Sequence, residues 1–159
     1  MTLEDLFAGR PIDIKKVMAR LRQVADQLGL PLGERKKTDN SRLAQELAKW
    51  AESEEKGDPF HEAMFRAYFV DGTNIGRVDE LVALAKSVGL PGEKARSVLE
   101  LRSFKEAVDS DWERSRALGI TGVPTYLVDH QATVGFQPYE ELGQFLLSCG
   151  VKKRVPQTL

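Results

Sequence analysis

One stretch, Gly119-Ile120-Thr121-Gly122-Val123-Pro124-Thr125-Tyr126-Leu127-Val128, constrains the fold of this chain more than any other. It passes from helical periodicity to a β-branched and aromatic run through two glycines and a proline. Gly119 lies just past the helical pattern, where a left-handed cap costs glycine least. Pro124 has no N–H to give to a ladder, so it suits the first residue of a strand. By residue type alone this is a helix stop, a turn and a strand start. A cis Val123–Pro124 bond has a prior of only about 5–6% among X-Pro bonds in folded proteins.

Upstream of this stretch the chain reads as helices. Residues 1–10 read as a short helical turn or loop. Ile14, Val17, Met18, Leu21, Val24, Ala25 and Leu28 follow the i, i+3, i+4, i+7 pattern, with Pro11 in the first turn and Gly29 as a left-handed stop. Their apolar stripe must bury against something. Asp39, Asn40 and Ser41 are cap candidates for a helix carrying Leu43, Ala44, Leu47, Ala48, Trp50 and Ala51. Asp58 as N-cap and Pro59 at the first helical position open the next helix. There Phe60, Ala63, Met64, Phe65, Ala67, Tyr68, Phe69 and Val70 cover more than one face, which places this helix at the centre of a bundle. Leu81 to Val88 form a helix stopped by Gly89, and Ala95, Val98 and Leu99 a short one. Ser103-Phe104-Lys105-Glu106 fits a capping box opening the helix that ends at Gly119.

Beyond Gly119 the period changes. Thr125 to Val128 reads as a strand buried on both sides, Asp129-His130-Gln131 as a turn and Thr133 to Phe136 as a second, antiparallel strand. Pro138 begins a last helix with Leu142, Phe145, Leu146 and Cys149 inward and Gly150 at its end. Residues 151–159 read as a mobile tail.

Charge and composition exclude several classes. Twenty-three basic and 24 acidic residues leave a net charge of −1, so nucleic acid and anionic membranes are not expected partners. The basic runs Arg35-Lys36-Lys37 and Lys152-Lys153-Arg154 are short and read as solvated. No apolar run approaches 18 residues, and the acidic start Met1-Thr2-Leu3-Glu4-Asp5 is not a signal peptide. One cysteine, Cys149, rules out a disulfide framework, and the cytoplasm is the expected compartment. No Gly-rich phosphate loop, Ser-His-Asp set or zinc signature is present, so neither cofactor nor metal is expected. His61 and His130 read as surface residues, and Cys149 as a buried, inert thiol.

Ala117-Leu118-Gly119-Ile120-Thr121-Gly122-Val123-Pro124-Thr125-Tyr126, followed by Val134-Gly135-Phe136-Gln137-Pro138, resembles the second half of a thioredoxin fold. More narrowly it is similar to the DsbA-like subfamily typified by FrnE, related to 2-hydroxychromene-2-carboxylate isomerases and kappa-class glutathione transferases. Thr2-Leu3-Glu4-Asp5-Leu6-Phe7, Asn40-Ser41-Arg42-Leu43-Ala44 and Phe65-Arg66-Ala67-Tyr68-Phe69 resemble that subfamily's helical region. The resemblance implies an α/β, mostly helical fold. Residues 1–118 are then a helical insertion bundle, 119–150 the C-terminal β-β-α half of a thioredoxin fold, and 151–159 a tail. It also implies that Pro124 is a cis-proline, whose loop (Thr121, Val123, Pro124) offers backbone groups to an extended thiol peptide or glutathione.

The family's activity is thiol-disulfide oxidoreduction by a Cys-x-x-Cys pair in an N-terminal strand-helix-strand unit. This sequence has no such pair, and a dithiol cycle needs one thiolate to attack and a second thiol to resolve. The expectation is therefore a truncated family member without dithiol activity of its own. It would be completed by a partner carrying the other half, paired as a homodimer, or covered at its strand edge by its own helices, because two strands alone are marginal in water. The alternatives are a non-catalytic peptide-binding or assembly module and, more weakly, a relative of the glutathione-dependent isomerases and transferases. Asn40-Ser41-Arg42 reads as a helix cap before a functional stretch. The aromatics of residues 60–69 read as bundle core, with an exposed subset available as an apolar wall beside Pro124.

Overall fold

The computed structural model describes residues 1–9, 11–34 and 37–154. Arg35 and Lys36 of the first basic run, and residues 155–159 of the expected tail, lie outside the described residues. The helical periodicities become α1 (Leu3–Leu6), α2 (Ile14–Gln27), α3 (Arg42–Ser53), α4 (Gly57–Phe69), α5 (Val78–Ser87), α6 (Gly92–Leu101) and α7 (Lys105–Ala117). After them come β1 (Thr125–Val128), β2 (Gln131–Val134) and α8 (Tyr139–Ser148). The fold is thus mostly helical with one small antiparallel sheet, as the sequence implied. Two compact units divide the chain, Met1–Ser110 and Asp111–Leu159, and the boundary falls within α7. No helix among the described residues is long and apolar enough to cross a membrane.

The first unit is organised on α3. Its residues Ala44, Leu47, Ala48, Trp50 and Ala51 are buried together with Phe60 of α4, Leu81, Val82 and Ala85 of α5, and Ala95, Val98 and Leu99 of α6. α4 was the expected centre, but α3 packs against α4, α5 and α6. The reason is residue size: three alanines on one face of α3 let its neighbours approach closely. On α4, by contrast, Phe65 is 60% exposed.

One charge lies inside this core. The Glu46 side chain is fully buried on α3. Its carboxylate accepts from Arg102 Nε and Nη2, both at 2.7 Å, and from Arg42 Nε at 2.7 Å. Arg42 in turn donates to the Lys105 carbonyl at 2.8 Å and pairs with Asp109 at 2.7 Å. The cluster ties α3 to the α6–α7 junction, where Arg102 takes a left-handed conformation (φ 54°) as the C-cap of α6. Bonds from Arg102, and then from Arg42, hold the Glu46 carboxyl below the usual carboxylate range, against the upward pull of burial.

Several sequence expectations are corrected. α4 starts at Gly57 with Lys56 at its N-cap, so Asp58 and Pro59 lie inside the first turn, where proline's missing N–H is harmless. α7 starts at Lys105, which leaves Phe104 rather than Ser103 at the cap position; the left-handed Arg102 delays the helix. Pro11 precedes the N-cap of α2, Asp13, whose carboxylate accepts from Lys16 N–H at 3.1 Å. No residue of α2 is buried, although its stripe is apolar. Asn40, not Ser41, supplies the cap acceptor for α3, taking the Arg42 N–H at 2.9 Å. β2 begins two residues earlier than expected, because Asp129 (φ 51°) allows a two-residue turn closing on the pair Val128–Gln131. β1 is half-exposed rather than buried on both sides. Glycines 29, 89, 119 and 150 all adopt positive φ at helix ends, as expected.

No described residue of the second unit is buried, whereas the first unit holds all the fully buried side chains. Leu81→Ala is therefore expected to lower stability by about 2–5 kcal/mol, and Leu127→Ala on β1 by less than about 1 kcal/mol. Urea unfolding of the two variants measures the contrast. A carboxyl depressed on folding adds stability above its unfolded-state pKa of about 4.3 and loses it as the pH falls toward the folded value. The urea midpoint should thus fall as the pH drops below about 4.3, and Glu46→Gln should flatten that slope.

Candidate functional site

The loop between α7 and β1 is fixed at both ends by main-chain bonds. Ile120 N–H bonds to the Ser115 carbonyl at 3.0 Å and Gly119 N–H to the Arg116 carbonyl at 2.9 Å, with Gly119 at φ 69°. At the far end the Pro124 carbonyl accepts Gly135 N–H at 2.8 Å. The Thr125 hydroxyl donates back to the Gly122 carbonyl at 2.7 Å, closing a tight arc around Val123. A Cβ on Gly122 would stand 3.3 Å from Val134 Cγ1, so a larger residue there requires the Val134 side chain to give by a few tenths of an ångström. Gln137 Nε2 donates to the Val134 carbonyl at 3.2 Å and so braces the end of β2.

The Val123–Pro124 bond is cis, as the resemblance implied. Val123 is 88% exposed, and among the described residues neither its N–H nor its C=O makes a hydrogen bond. The strand register shows where the main chain opens. The bond from Gly135 to Pro124 makes Thr125–Val134 a non-hydrogen-bonded pair. Tyr126 and Val128 then turn their amides and carbonyls toward β2, while those of Thr125 and Leu127 point away from it. Val123 thus presents main-chain groups without a bond, and beyond it the edge of β1 that faces away from β2 is open.

Thr121, Val123 and Pro124 thus lie together on one exposed loop of the second unit. The other candidates belong elsewhere. Asn40-Ser41-Arg42 is in the first unit and serves α3 as cap and ion-pair cluster. The aromatic residues divide: Phe60 is core, whereas His61, Phe65 and Phe69 form a ladder on α4 with Phe65 and Phe69 stacked at 5.8 Å. His61 and His130 are exposed. Cys149 is the C-cap of α8 and half-buried, as are Leu142, Phe145 and Leu146 with which it was expected to share a face; it is not the fully buried thiol expected.

Sequence reasoning missed two features. The Glu46 cluster was foreshadowed only by the i, i+4 spacing of Arg42 and Glu46; nothing marked Arg102 as the third member. A polar cleft of about 440 Å³ in the first unit is lined by Lys37, Asp39, Tyr68, Thr73 and Asn74. It is assembled from two loops and one helix end, a juxtaposition without local signature. Its Tyr68 hydroxyl lies 3.3 Å from that of Thr38.

The family model of the DSBA-like thioredoxin domain matches residues 3–147. A solved structure of a probable DsbA oxidoreductase from Streptomyces coelicolor superposes with a TM-score of 0.79 at 25% identity, covering 99% of this chain and 70% of that one. A candidate protein disulfide isomerase from Nitrosomonas europaea shares the fold, with a TM-score of 0.66 at 22% identity over 87% of this chain and 74% of that one. The uncharacterized protein YwbO of Bacillus subtilis is 34% identical over 90 residues, 54% of this chain and 44% of YwbO. The match thus spans less than half the length of that relative.

Proposed function

Because the chain belongs to the DSBA-like thioredoxin domain family, we propose that residues 119–150 are the substrate-cradling half of a FrnE-type thiol-disulfide oxidoreductase domain. The carrying observation is the exposed, unbonded main chain of Val123 at the entrance to β1. One residue of an extended thiol peptide, or of glutathione, pairs with that N–H and C=O and is held beside Pro124. Main-chain pairing supplies orientation without demanding a particular side chain.

The exchange itself consumes a dithiol. A thiolate attacks a disulfide sulfur, a mixed disulfide forms and one thiolate leaves; a second thiol then displaces the bound sulfur. The 159 residues hold Cys149 alone, and so do not complete this cycle by themselves. The pair comes from a strand-helix-strand segment, on the same or another polypeptide, whose strand adds to the open edge of β1. Support lies in the second unit, which has no buried residue and leaves the main chain of Thr125 and Leu127 directed away from β2. Without that segment the loop acts as a peptide-holding module.

The 159-residue chain should show no insulin reduction above the dithiothreitol background, with or without Cys149→Ser. Millimolar glutathione or an extended cysteine peptide should shift the amide resonances of Thr121, Val123 and Thr125. Turnover that survives Cys149→Ser, or resonances that stay fixed with both ligands, would overturn this reading.

A further inference from the structure

The polar cleft of about 440 Å³ in the first unit has walls held by bonds that do not use its charges. One wall carries Lys37 and Asp39, the other the end of α4 and the turn at Thr73 and Asn74. Gly33 N–H bonds to the Phe69 carbonyl at 2.8 Å, and a Cβ on Gly33 would collide with the Val70 carbonyl oxygen. Thr73 N–H bonds to the Ala67 carbonyl at 2.8 Å, and Asn74 Oδ1 accepts Gly76 N–H at 2.9 Å. Lys37 is bridged to Thr2 through the main chain, and Thr38 N–H bonds to the Met1 carbonyl at 3.0 Å. The cleft is therefore built before any ligand arrives, and its size falls in the range of small-molecule sites.

Two opposite charges line this cleft without meeting. Lys37 and Asp39 stand two residues apart on an extended segment, so their side chains leave on the same side, with Cα atoms about 6–7 Å apart. Among the described residues, neither the Lys37 ammonium nor the Asp39 carboxylate has an ion pair or a side-chain hydrogen bond. Asp39 is half-buried, and the cap of α3 that could have occupied it is supplied by Asn40. The half-buried Thr73 hydroxyl likewise has no bond among the described residues. Withdrawing a charge from water without a partner is costly, which makes the absence of a pair here informative.

We propose that the cleft binds a free α-amino acid as its zwitterion, with the ligand carboxylate on Lys37 and the ligand ammonium on Asp39. A simple anion would be repelled by Asp39 and by Glu34, which also lines the cleft, and a simple cation by Lys37. A ligand carrying both charges leaves neither side chain uncompensated. Thr73 Oγ1 and Asn74 Nδ2 offer neutral hydrogen bonds in the same cleft and favour a polar side chain, such as that of glutamine. Every lining residue belongs to the first unit, so this site does not depend on the reading of the Val123 loop. For so small a ligand in an open cleft, a Kd on the order of 1 mM is expected.

Titration of the full chain with L-glutamine, up to about 20 mM and followed by amide resonances, tests this. The amides of Thr38, Asp39, Thr73 and Asn74 should move together and saturate. L-glutaminamide keeps the ammonium and lacks the carboxylate; N-acetyl-L-glutamine keeps the carboxylate and lacks the ammonium. Each should bind about tenfold more weakly or worse, since each loses one charge-assisted contact. Lys37→Met and Asp39→Asn should weaken L-glutamine binding by a similar factor. Neither substitution removes a bond of the folded chain, so the melting temperature should stay unchanged. Resonances that remain fixed throughout the titration overturn the proposal. Equal binding of L-glutaminamide, or of N-acetyl-L-glutamine, overturns it too, because the cleft then reads a single charge. So does undiminished binding of L-glutamine by either folded variant.

Discussion

Glu46 and Leu47 are neighbours on α3, and neither touches solvent. That pairing of a carboxylate with a leucine inside one core sets the terms for the first unit. A buried charge is tolerable only when its bonds are complete, and here three guanidinium N–H groups complete them. The arginines come from α3 itself and from the left-handed cap of α6. The bond therefore fixes where α6 stops and where α7 begins. Apolar packing alone leaves such a junction free to slide by a residue or two; a buried carboxylate with two obligatory partners does not.

The second unit is built on the opposite terms. Its two strands and α8 bury no side chain, and its definition comes from main-chain bonds at the ends of one loop. Gly119, Gly122 and the Thr125 hydroxyl shape that loop locally, through a left-handed cap, a close approach and a closing bond. The cis-proline loop and the open edge of β1 belong to this unit, while the packing energy belongs to the other.

What the sequence revealed follows the same division. The helices of the first unit were legible because α3 to α6 alternate apolar and polar residues at the helical period, with glycines marking several of the stops. By residue type Gly119 and Pro124 marked a helix stop and a strand start, and the cis bond was legible only through the resemblance of this stretch to the second half of a thioredoxin fold. The placement of α3 at the centre was not, since alanine scores as weakly apolar yet permits the closest packing. Nor was Arg102 legible: an arginine in a left-handed cap has no local pattern, and its partner is 56 residues away. The start of β2 was misplaced because Asp129 tolerates a conformation that a run of turn-forming residues does not specify uniquely.

The open main chain at Val123 bears on selectivity. Amides and carbonyls are common to every polypeptide, so a surface that grips a chain through them registers its path and extension and is blind to its sequence. If this loop holds a substrate as proposed, discrimination would pass to whether a segment is unfolded enough to lie straight, and such an opening would sort polypeptides by their state of folding.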